Sequence, residues 1–169
     1  MLDVKKISPQ IGWYFAGFVD GEGSFNVVFR PRKDYQLPWK VSLCFNISQR
    51  DRVILALFKR HLRCGTMRQR KDGVWYYEVN NLGSIVGHVI PFFKRFGFLS
   101  AKKKRDFSKF CQIAELLTQN EHLHKDGICR ILTIRRDMND GGKRRYSEDS
   151  IMSAFKESSE TIRQASQTR

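Results

Sequence analysis

Apolar positions recur along the chain with two different periods, and the switches between them mark its elements. Ile11, Trp13, Tyr14, Phe15, Phe18 and Val19 form a nearly continuous apolar stretch. Ser8 and Pro9 precede it as N-cap and first helical residue. The pattern predicts a first helix that is apolar on almost every side and therefore buried. Two small pairs lie in it four residues apart, Gly12 with Ala16 and Gly17 with Gly21. Small residues at that spacing let a second helix backbone approach closely.

The period then changes to two. Phe25, Val27 and Phe29 alternate with Asn26, Val28 and Arg30 over Ser24–Arg30, and Val41, Leu43, Phe45 and Ile47 do the same over Trp39–Ser48. Both stretches are strands with one buried and one open face, joined by a loop over Pro31–Pro38. Arg52–Leu62 returns to helical spacing, with Val53, Leu57 and Phe58 on one face. Gly65–Arg70 and Val74–Val79 flank Lys71-Asp72-Gly73, the mark of a hairpin turn. Helices are expected over Leu82–Phe93 and Lys102–Leu117, the latter with Phe107, Phe110, Ile113, Ala114 and Leu117 inward. Two weaker helices follow over Ile128–Met138 and Ser147–Ile162. The order αββαββα gives an α+β fold in which two ββ pairs form one antiparallel sheet backed by helices. One domain over 1–156 is expected, followed by a polar tail over 157–169.

Charge adds the first functional information. The chain carries 31 Lys and Arg against 17 Asp and Glu, a net charge of +14. A domain this basic needs an anionic partner, and nucleic acid is the usual one. No apolar run reaches membrane-spanning length. Cys44, Cys64, Cys111 and Cys129 match no zinc spacing and read as reduced thiols. The N-terminus lacks an apolar signal core, so a reducing compartment (bacterial or archaeal cytoplasm, or an organelle matrix) is expected rather than secretion. The open sheet face and its loops are expected to carry Arg30, Arg32, Lys33, Lys40, Arg68 and Arg70. Among these cations stand Asn26, Val28, Ser42, Cys44, Asn46, Trp75 and Tyr77. Such a surface holds phosphates and addresses base edges.

Asp20 and Glu22 end the first helix, where the helix dipole disfavours carboxylates. Either acid could cap a backbone amide or pair with an arginine. Alternatively, a hard cation with oxygen ligands reverses the local electrostatics. The residues alone leave both readings open.

The nine residues Phe15–Gly23, FAGFVDGEG, resemble the LAGLIDADG motif of homing endonucleases. Ala16, Gly17, Asp20 and Gly23 are identical to it, and the element order over roughly 8–120 is that of the single-motif branch. The resemblance implies a homodimer packed through Gly12, Ala16, Gly17 and Asp20, with a sheet that forms a DNA-binding saddle. It implies that Glu22 holds a catalytic metal ion with help from the Gly21 carbonyl. The ion would be Mg2+ or Mn2+, with Ca2+ binding but not supporting cleavage. Gln49 and Lys102 would assist catalysis, and a further basic residue falls on Arg50 or Arg52. The implied reaction is double-strand DNA cleavage at a long pseudo-palindromic site, on the order of two helical turns, leaving short 3′ overhangs. An intron maturase, a non-cleaving nucleic-acid-binding protein or a structural RNA-associated protein are the competing readings.

Overall fold

A computed structural model describes residues 1–32, 39–142 and 144–155. The elements run α1 (Pro9–Glu22), β1 (Gly23–Pro31), β2 (Trp39–Gln49), α2 (Arg52–Leu62), β3 (Thr66–Gln69) and β4 (Trp75–Val79). A helical stretch over 82–95, here α3, then α4 (Ala101–Thr118) and α5 (Lys125–Arg136) follow, and residues 148–155 form α6. The four strands make one sheet in the order β1-β2-β4-β3, with every neighbouring pair antiparallel. The αββαββα order and α+β class therefore stand. Among the described residues no helix is long and apolar enough to cross a membrane.

Strand parity puts Phe25, Phe45 and Val79 in one cross-strand row on the helix side. The helices meet this face with more phenylalanine. The Phe25 ring lies 5.0–5.8 Å from the rings of Phe45, Phe93, Phe98, Phe107 and Phe110. On α1 and α2, Phe15 and Phe58 stack at 4.0 Å. This shared core explains why 13 phenylalanines are needed in a small chain, and it fixes α1 against the sheet.

Two expectations need correction. The first helix is not buried all round: Trp13 and Tyr14 are 55% and 56% exposed, and Gly17 and Gly21 lie on the same open side. Val53 is exposed, while Ile54, Leu55, Phe58 and Leu62 form the inward face of α2. Inside α3 a π-helical turn spans Ile85–Val89. Pro91 lacks an N–H, so the Gly87 carbonyl four residues earlier has no helical donor. The Leu2 amide donates to that carbonyl instead, at 2.7 Å.

Candidate nucleic-acid interface and acidic site

At the end of α1 the two motif acids take different roles. Asp20 turns back into the chain. Its carboxylate accepts from the amides of Leu99 (3.2 Å) and Ser100 (3.0 Å) and from the Ser100 hydroxyl. Ser100 in turn caps α4 by accepting from the Lys103 amide at 3.2 Å. Burial alone would raise the Asp20 pKa, but the Ser100 hydroxyl, the two amides and the charge of Lys103 outweigh it and hold the carboxyl below its ordinary value. Glu22, two residues on, is exposed, and no hydrogen bond or ion pair engages it among the described residues. The chain reverses into β1 at Gly23, where a Cβ would stand 2.5 Å from the Val19 side chain. The motif's last position therefore has room only for glycine.

Lys103 supplies the cation here. Its ammonium donates to the Gly23 carbonyl. Partial burial pushes its pKa down against the opposing pull of Asp20 and Asp106. Lys102 points elsewhere: it is half-exposed and pairs with Asp140 at 2.5 Å. Lys103, Phe107, Phe110, Ala114 and Leu117 share one helical face, and Lys102 does not. Gln49 ends β2, and its side-chain oxygen accepts from the Arg50 amide at 2.8 Å. Arg52 lies 5.0 Å over the Trp75 ring.

The open sheet face is read from the register. One row runs Ser24, Asn46, Glu78, Thr66, and the next toward the strand end runs Ser48, Tyr76, Arg68. Toward the other end of β1 come the pairs Asn26–Cys44, Val28–Ser42 and Arg30–Lys40. Tyr77 is not on this face. It is fully buried on the helix side, where its hydroxyl donates to the Cys64 carbonyl at 3.0 Å. Trp75 shares that parity and packs beneath Arg52. The residues that sequence reasoning missed are Tyr76 and Glu78; the alternation anchored on apolar Val79 would have identified them. Glu78 is the sole acid on the open strand positions described. It lies 3.6 Å from Arg68, whose guanidinium sits 5.0 Å over the Tyr76 ring. Burial pushes the Cys44 thiol pKa up, so this position is a neutral, soft contact. Arg70 lies beside the hairpin, paired with Asp72 at 3.2 Å. Arg32 follows β1, and Lys33 lies outside the described residues.

The small residues of α1 divide by face. A Cβ on Gly12 would fall 2.3 Å from the Phe96 ring, and Ala16 is 2% exposed. Both therefore pack within the chain, as does the carboxylate of Asp20. Gly17 and Gly21 meet nothing within 4 Å. Of the four expected contact positions, Gly17 lies open in the single chain, on the same side of α1 as Gly21, Trp13 and Tyr14.

Residues 15–114, more than half of the chain, match the sequence model of a family described as LAGLIDADG endonuclease. A probable intron-encoded endonuclease 3 of Neurospora crassa is 29% identical over 133 residues, covering 76% of this chain and 25% of that protein. The homing endonuclease I-ApeII of Aeropyrum pernix is 25% identical over 146 residues, covering 82% of this chain and 86% of its own length. The chain thus spans about a quarter of the first relative and most of the second. The solved structure of the archaeal intron-encoded homing endonuclease I-Vdi141I complexed with DNA superposes with a TM-score of 0.79 at 27% identity, over 88% of this chain and 96% of that one. I-SmaMI bound to uncleaved DNA in the presence of calcium ions gives 0.73 at 29% identity, over 77% of this chain and 45% of that one.

Proposed function

Because the chain belongs to the LAGLIDADG endonuclease family, we propose that it is a homing endonuclease that cuts both strands of a specific DNA site as a homodimer. The observation that carries this reading is Glu22. A carboxylate without an internal partner stands at the end of α1, next to an exposed strip of Trp13, Tyr14, Gly17 and Gly21. Exposed large aromatics beside glycines on one helix face suit a second copy of the same helix. A two-fold arrangement there brings two Glu22 side chains together, one for each strand. Residues 1–169 carry one motif of this family, and they match nearly all of I-Vdi141I but under half of I-SmaMI.

The donor set suits a hard divalent cation shared between copies. Among the described residues no cluster of three His, Cys, Asp or Glu exists within one chain, so a single copy offers only Glu22. The Gly21 carbonyl lies in the last turn of α1, where carbonyls have no helical donor, and can add a second oxygen. Magnesium or manganese bound there would supply Lewis-acid stabilisation of a phosphodiester under attack. The chain's own residues do the rest. Asp20 fixes the end of α1 to the start of α4. Lys103 places a positive charge beside the motif, and Gln49 is a polar group at the end of β2 able to order water. The open sheet face holds the duplex, with Arg30, Lys40 and Arg68 on phosphates and Asn26, Ser42, Asn46 and Tyr76 toward base edges. Two such faces related by a two-fold axis read a pseudo-palindromic site, and short 3′ overhangs follow from cuts staggered across the minor groove.

The test is cleavage of a plasmid library of inserts with and without magnesium, by the wild-type protein and Glu22→Gln. Magnesium-dependent linearisation is expected from wild type only, with Glu22→Gln still binding the selected duplex. Cleavage by Glu22→Gln would remove the assignment, and preferential binding of structured RNA without cleavage would favour the maturase reading.

A further inference from the structure

The free edge of β1 borders a cleft that the acidic site does not use. It encloses about 690 Å³ between β1 residues 26–31 and the segment from Arg135 to Tyr146. Four arginines line it (Arg30, Arg135, Arg144 and Arg145), and no carboxylate among the described residues does. Arg135 lies 5.0 Å over the Phe29 ring. Arg144 donates to the carbonyls of Arg135 (2.6 Å) and Arg136 (3.0 Å), which closes the end of α5. Glu148, the acid that acts on this group, pairs with Arg136 at 2.7 Å.

This concentration of positive charge is incompletely balanced. One guanidinium nitrogen each of Arg135 and Arg144 is buried without an acceptor among the described residues. Burial, together with the neighbouring Arg144, pushes the Arg135 pKa down to about 10. Backbone groups of β1 line the same edge. The Phe25 carbonyl points to the free edge, where it accepts from Asn139 Nδ2 at 3.0 Å. Alternation along the strand turns the amides of Val27 and Phe29, with their carbonyls, the same way. Planar guanidinium forks and edge amides together suit the oxygens of a phosphodiester.

We propose that this cleft seats a backbone phosphate of the bound duplex, with Arg145 and Arg135 as its cations and Arg144 as the frame. The proposal rests on the DNA reading above and extends the footprint to the segment after α5, beyond the sheet. The cleft is continuous with Asn26, Val28 and Arg30 of the open face, which favours the duplex over a free anion. At about 3.3 Å per residue, positions 26–31 lie roughly 10–26 Å along β1 from Gly23, the length of roughly three to eight base pairs.

The experiment compares wild type with Arg145→Glu, an exposed position, and with Lys125→Glu at the opposite end of α5, which makes the same change in net charge. Binding to the selected duplex and to unrelated duplex is measured across a salt series. Phosphate ethylation interference then maps the contacts. For Arg145→Glu, affinity is expected to fall by about tenfold on both duplexes, with the salt slope reduced by about one. Interference three to eight base pairs from each half-site's inner end is expected to disappear. Lys125→Glu should keep the wild-type slope and interference pattern. Unchanged affinity, slope and interference in Arg145→Glu, with wild type binding normally, would overturn the proposal. So would thermal stabilisation of wild type by inorganic phosphate that Arg145→Glu loses while its DNA affinity stays intact. A wild-type protein that binds no duplex would instead sink the nuclease reading, and the cleft's assignment with it.

Discussion

The ammonium of Lys103, on the first turn of α4, donates to the backbone carbonyl of Gly23, the residue that closes the motif. This contact brings α4 to the acidic end of α1 and puts the one partly buried cation of the 102–104 run beside the last residue of the motif and near Asp20. Lys103→Ala is therefore expected to lower the cleavage rate by about a hundredfold, the scale of losing one preorganised charge at a reacting group. DNA affinity should change only a few-fold, and Lys103→Arg should recover part of the rate. Lys102→Ala, which removes a partner of Asp140, should cost less cleavage than Lys103→Ala. Single-turnover rates on the selected duplex decide the order.

The open strip of α1 gives a prediction about assembly. A Cβ at Gly17 has free space in the single chain, so Gly17→Leu should fold with unchanged near-ultraviolet dichroism. If two copies meet through this strip, the added side chain separates them. Light scattering should then report a dimer for wild type and a monomer for Gly17→Leu, and cleavage should fall with the dimer. A wild-type monomer that cleaves would refute the shared site.

Much of this was legible from periodicity. The two-residue alternation located both long strands, and the hairpin turn at Asp72-Gly73 is present, with Gly73 at φ 80°. What escaped the sequence concerns facing rather than existence. A helix apolar on all sides gives no cue to which side the core takes, so the pattern of α1 does not announce that Trp13 and Tyr14 face outward. In β4, Trp75, Tyr76 and Tyr77 are three aromatics in a row, so their own character does not separate their sides; counting back from Val79 does, and the register against Ile47 and Ser48 agrees. The acid pair was ambiguous for a different reason. The residue that satisfies Asp20 is Ser100, 80 positions away, and no local pattern announces such a partner.

That register yields opposite outcomes for adjacent tyrosines. Tyr77 is completely buried against Phe45 and Phe58, so Tyr77→Ala should destabilise by about 3–5 kcal/mol, as large-to-small core changes do. Tyr77→Phe should cost about 1 kcal/mol for its hydrogen bond to the Cys64 carbonyl. Tyr76→Ala should leave the denaturation midpoint nearly unchanged and weaken duplex binding instead. Urea titrations beside a binding isotherm separate the two positions.

The last prediction concerns acid. Asp20 holds the start of α4 only as a carboxylate, because its acceptor oxygens receive the Leu99 and Ser100 amides and the Ser100 hydroxyl. Its pKa in the folded chain lies below the ordinary 3.8. A depressed carboxyl contributes stability that is fully present above the unfolded value and is lost as pH falls through the folded one. Asp20→Asn should therefore be less stable than wild type at neutral pH, by about 1–2 kcal/mol for the charge-assisted bonds, discounted for exposure. The gap should stay constant down to about the unfolded value and close below it, as the wild-type carboxyl takes up its proton. Denaturation of the two proteins across the acid range measures that gap directly. A difference that persists unchanged well below 3.8 would mean that Asp20 acts through its shape and not its charge.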